Sequence, residues 1–168
     1  QLDDVEENTH QVFRSLAEPQ PPDLMAIRRF MLFCMAEQEL EFLLEIQRPP
    51  LPPSYPRPGS TEYLHKEQGR RAASQERERL LLGSQPVGNV FEILRKQGVR
   101  LFRHRLEDAE LSGVTISHPK AGVCVLVNCE DDLYRQFFSA AHEFAHVLFD
   151  REDITSKGCI VSYHYTKQ

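Results

Sequence analysis

The chain has no tryptophan, only 4 cysteines and 8 glycines, and no apolar run long enough for a bilayer. Each absence excludes something. Cys34, Cys124, Cys129 and Cys159 show no C-x-x-C spacing and form no disulfide framework. At 168 residues the chain can bury a hydrophobic core without such staples. Cys124 sits in an apolar run and is expected to be a small buried hydrophobe. A reducing, cytoplasmic location follows as the expectation. The longest apolar run, Phe30 to Ala36, is too short to span a membrane, and the polar, acidic first thirty residues do not read as a signal peptide. A basic excess is also missing. The net charge of −5 and pI of about 5.8 argue against direct binding of nucleic acid by this chain. A start at Gln1 without Met leads to the expectation of a fragment of a longer protein.

Prolines divide what remains. Residues 1–22 mix acids with Pro19, Pro21 and Pro22 and read as a linker or the tail of a preceding element, in which Val12, Phe13 and Leu16 are expected to form one amphipathic turn. Asp23 is a natural N-cap for a helix over Leu24–Ile46, a stretch free of Gly and Pro. From Met31 to Ala36 its apolar side chains go nearly all round the helix, and such a helix needs burial or a partner. Packing on its own domain and dimerisation through helix 24–46 both satisfy that need. The run from Pro49 to Gly59 favours polyproline II and marks the clearest boundary. The expected organisation is therefore a helical extension with a Pro-rich linker over 1–60 and a compact domain over 61–168.

Within that domain Thr61–Leu82 reads as a helix closed by Gly83, with Gln75–Arg79 as a solvated face. Ser84 and Pro86 open a short helix that ends at Gly98. Val99–Arg103, Gly113–Ser117 and Val123–Val127 read as strands, the last two as an antiparallel hairpin turned at 118–122. The unbroken apolar run of Val123–Val127 suits a central strand. Residues 158–164 form a further strand or the approach to another helix. The expected fold class is α+β, with a small antiparallel sheet packed against helices.

The chemistry sits in Tyr134–Asp150, which contains His142-Glu143-x-x-His146 in a stretch with helical periodicity. Histidines four apart lie on one helix face, one turn above the other, and can reach a single Zn²⁺ at about 2.0–2.1 Å. Glu143 lies about 100° round the helix from His142, where it can face a metal-bound water as general base without being a ligand. The same five letters can arise by chance on an exposed helix. Against that, Phe137, Ala141, Phe144 and Leu148 recur at apolar-face spacing, while Phe138, His142, His146 and Asp150 run down another stripe. His10, His65, His104 and His118 have no ligand spacing and are expected to be exposed, and Arg135 is either a structural ion-pair partner or a contact for a substrate carboxylate.

The motif order resembles the ImmA/IrrE metallopeptidase family. The matching text is Asn89–Leu94, Gly98–Phe102, Leu111-Ser112-Gly113, Val125–Asn128 and Arg135-Gln136-x-Phe138-x-x-Ala141-His142-Glu143-x-x-His146. The resemblance implies a zincin-type helix and a zinc-dependent endopeptidase that cleaves a transcriptional repressor or antitoxin, often in stress or phage-defence control. His142 and His146 become ligands of Zn²⁺ and Glu143 the catalytic base. The family's third ligand is a Glu on a later helix. Only 22 residues follow His146, so that Glu is expected beyond Gln168. Asp150, Glu152, Asp153 and His164 are the substitutes within the chain, Asp150 being strained for the role. Such domains also follow an Xre-type helix-turn-helix, expected here before Gln1 and the only route to DNA. The alternative function is a metallopeptidase-like sensor of such a regulator, with little or no proteolysis. Val123–Asn128, if it lies at a cleft edge, is the candidate strand for extended substrate.

Overall fold

In the computed structural model the described residues are 21–56, 62–106 and 110–163. The turn at Val12–Leu16, His10 and the candidate ligand His164 lie outside them, as does the side chain of His65. Five helices and one four-stranded sheet make up the described part. In chain order these are α1 (Pro21–Leu43), α2 (Glu62–Arg79), α3 (Val90–Lys96), β1 (Arg100–His104), β2 (Leu111–His118), β3 (Gly122–Asn128), α4 (Leu133–Phe149), α5 (Arg151–Lys157) and β4 (Cys159–Tyr163). None of these helices is long and apolar enough to cross a membrane.

The class is α+β, but the sheet is mixed rather than antiparallel. Its order is β1-β3-β2-β4, with β1 parallel to β3 and β2 antiparallel to both neighbours. The hairpin pairs as expected, Thr115 opposite Val125. β3 therefore lies between two strands and cannot take a substrate by strand addition. Its apolar run has the reason inferred from sequence. Cys124 and Leu126 enter one core, and Val123, Val125 and Val127 enter another on the opposite face.

The first core is capped by α1, whose Ala26, Ile27, Phe30, Met31 and Cys34 pack with Val114, Ile116 and Leu126. The second is closed by α3 and α4 through Val90, Leu94, Ala140 and Val147. Three layers result, and α1 is one of them. Asp23 is buried in its first turn, after Pro21 and Pro22 have already begun the helix. Further along, Glu37 and Glu41 meet Arg48, Arg95 and the buried Arg100, whose Nη2 donates to Glu41 Oε2 at 2.6 Å. Burial pushes the Glu41 carboxyl up, but hydrogen bonds from Arg100 and Arg48 outweigh it and hold it below its ordinary range.

The Pro-rich segment is fastened to the domain. Tyr55 N donates to Leu148 O at 2.7 Å, Arg151 donates to Pro52 O at 2.7 Å, and the Tyr55 hydroxyl donates to Glu76 at 2.8 Å. Glu76, expected on a solvated face, is instead buried, because Tyr55 and Arg79 satisfy its carboxylate. α3 starts later than expected. Asn89 caps it by accepting from Phe91 N at 3.1 Å and Glu92 N at 3.3 Å. It ends at Gly98, whose φ of +76° and close packing on Pro49 both demand glycine, since a Cβ would stand 2.3 Å from Pro49 O. His118, expected exposed, is buried, its Nδ1 accepting from the Lys120 and Ala121 amides to close the hairpin turn.

Gly98→Ala is expected to lower stability by about 2 kcal/mol or more in urea unfolding, since both backbone strain and displacement of the Pro49 strap oppose it. A second expectation concerns pH. A carboxylate with a depressed folded-state pKa stabilises above its unfolded value and loses that contribution as pH falls through the folded one. Glu41→Gln should therefore be less stable than the native chain at pH 7, with the gap closing as the pH drops below 4, as read from urea midpoints.

Candidate metal and catalytic site

Helix α4 positions the site. Its N-cap is Asp132, whose side chain accepts from Arg135 N at 3.0 Å. Arg135 itself lies 3.8 Å from Asp131 on the surface, the structural reading of that residue. The buried line is Gln136, Ser139, Ala140, Glu143, Val147 and Leu148, so of the expected face Phe137, Ala141, Phe144 and Leu148 only the last is fully buried. The sheet takes the narrow side chains, which let the helix approach closely. Phe137 and Phe144 pack at the flank, Phe137 against Phe91 with ring centroids 5.0 Å apart.

Glu143 is the centre of that line and is 0% exposed. Thr115 Oγ1 donates to its Oε2 at 2.5 Å, while Oε1 has no hydrogen-bond partner among the described residues. The carboxylate fits because residue 113 is glycine. A Cβ there would lie 2.7 Å from Oε1 and 3.0 Å from Cδ. Burial pushes the Glu143 carboxyl up, opposed by the Ser162 hydroxyl nearby, which lies outside hydrogen-bond geometry, by the Thr115 hydrogen bond and by His146.

One turn on, the two histidines converge. His142 Nε2 and His146 Nε2 are 3.2 Å apart, with their rings at 90°. Two imidazoles each about 2.05 Å from one tetrahedral ion would hold their nitrogens about 3.3 Å apart. The pair therefore fits a shared Zn²⁺. Burial and the neighbouring His146 push His142 below its ordinary pKa, Asp150 opposing, which favours the neutral ring that a metal requires.

Asp150 has a different place from the ligand role considered for it. Its Oδ2 lies 2.6 Å from His146 Nδ1, on the far side of the ring from Nε2. A proton held there leaves the Nε2 lone pair aimed at the shared point, as second partners of metal-bound histidines do. Ser162, on β4, places its hydroxyl 3.4 Å from His146 Nε2. Asp153 pairs with Lys157 at 3.5 Å, and Glu152 lines a cleft of about 470 Å³ with Tyr55, Phe149, Asp150 and Asp153. Among the described residues no group of three His, Cys, Asp or Glu side chains is placed to hold a metal. The site thus brings together His142, His146 and Glu143, and adds Gly113, Thr115, Asp150 and Ser162. Gly113 had a signal in the sequence, as part of Leu111-Ser112-Gly113; Thr115 and Ser162 depend on strand pairing and had none.

Residues 94–168 match the family described as Peptidase M78, the IrrE N-terminal-like domain, which supports a metallopeptidase-like domain of the ImmA/IrrE kind in this part of the chain. No curated protein and no solved structure matches the chain.

Because the fold holds a proton on Glu143 more tightly than the unfolded chain does, its contribution to stability falls as pH rises above the ordinary carboxylate range. Glu143→Gln, measured without metal, should match the native chain near pH 4 and exceed it at pH 7. Equal urea midpoints at both pH values contradict this placement of the carboxyl.

Proposed function

We propose that the chain carries the metal-and-base half of a zinc-dependent endopeptidase of the ImmA/IrrE type, whose substrate is a transcriptional repressor or antitoxin. One observation carries the reading: the two Nε2 atoms stand 3.2 Å apart beside a buried carboxylate with an unpartnered oxygen. His142 and His146 would hold Zn²⁺ through Nε2. When bound, the ion supplies Lewis acidity that polarises a scissile carbonyl and acidifies water. Asp150 keeps the proton on His146 Nδ1 and so fixes the ring. Glu143 Oε1 takes the proton of the attacking water and returns it to the leaving amine nitrogen. Thr115 stays on Oε2 and prevents the carboxylate from rotating. In this reading the third protein ligand is not among the described residues, and DNA is reached only through a helix-turn-helix domain.

The sensor alternative shares the metal and drops the proton transfer. Glu143→Gln separates the two in the full-length protein with its repressor. Cleavage should fall about 100-fold or more with zinc content unchanged. Undiminished cleavage, read as fragment yield over time, removes Glu143 as the base.

A further inference from the structure

Helix α1 is apolar on two opposite sides, and only one of them is packed among the described residues. Ile27, Phe30 and Cys34 are buried against the sheet. Across the helix, Met25, Leu32 and Leu43 are 50%, 46% and 68% exposed, and Ala36 lies exposed between them. With Arg29 and Glu39, both also exposed, these residues follow the spacing 25, 29, 32, 36, 39, 43. Alternating steps of four and three are the a/d seam of a coiled coil, here about 27 Å long at 1.5 Å per residue.

The charges in the seam select its partner. Two parallel copies would set Arg29 on Arg29 and Glu39 on Glu39, two like-charge layers in one short interface. An antiparallel pair centred at residue 34 brings Met25 to the partner's Leu43, Leu32 to the partner's Ala36, and Arg29 to the partner's Glu39. Every layer then joins an a to a d position, and both charged layers become ion pairs. The seam is self-complementary under a two-fold axis, as an isologous interface requires. We infer that the exposed face of α1 docks on a second copy of this chain as an antiparallel coiled coil in the Met25–Leu43 register. Phe30 and Phe33 have no part in it, since Phe30 is buried in the core and Phe33 stacks on Phe102 at 6.0 Å. The inference is independent of the peptidase reading.

The test uses the whole chain at micromolar concentration in sedimentation equilibrium. A dimer is expected, with Arg29→Glu or Glu39→Arg alone weakening it by about tenfold or more and the double exchange restoring it to within about threefold. Far-UV circular dichroism should be unchanged in all three, because both positions are exposed. In a Cys129→Ser background, chains with Met25→Cys should cross-link to chains with Leu43→Cys and not to themselves. A monomer, including one whose seam is covered by residues 1–20, overturns the inference. So does a dimer indifferent to both charge reversals, or self-cross-linking at position 25.

Discussion

The buried carboxylate of Glu143 is the constraint that the rest of the site answers to. A carboxyl removed from water costs several kcal/mol unless something replaces its hydration. Thr115 supplies one hydrogen bond, and the missing side chain at Gly113 supplies the space. Both stand on β2, so the face of α4 that meets the sheet is decided by Glu143 and its narrow neighbours Ser139 and Ala140 rather than by phenylalanines. With that face set, helix geometry puts His142 and His146 at the rim and converges their Nε2 atoms. Asp150 and Ser162 then approach His146 from the helix end and from β4. One oxygen of the carboxylate is left without a hydrogen-bond partner among the described residues, and the proposed base role rests on that oxygen.

Local chemistry was legible in advance and tertiary compensation was not. The His142–His146 spacing, the Gly98 terminus and the central place of Val123–Val127 all follow from rules that act within a few residues. His118 and Glu76 read as exposed because polar side chains usually are, yet each is satisfied by partners that only the fold provides: turn amides for His118, Tyr55 and Arg79 for Glu76. The parallel β1–β3 pair was missed for a related reason, since strand order depends on the path between strands, not on their composition. Asp150 shows the limit most clearly. Spacing placed it on the ligand stripe, but the side chain one turn beyond His146 meets Nδ1, across the ring from the Nε2 that faces His142.

Helix α1 illustrates how one segment can satisfy two readings of the same sequence. An all-round apolar helix needed either its own domain or a partner. The domain takes one side through Phe30, and the acids at its C-terminal half are drawn into contact with Arg48, Arg95 and Arg100. The opposite side keeps a regular seam with one basic and one acidic layer, a pattern that domain packing does not explain.

The proposed site requires His142 and His146 to share one ion, and X-ray absorption at the zinc edge of the zinc-loaded, full-length protein addresses that directly. Two imidazole nitrogens at about 2.0–2.1 Å are predicted, falling to one in His142→Ala. A zinc environment without imidazole scattering, or one unchanged by the substitution, would contradict it.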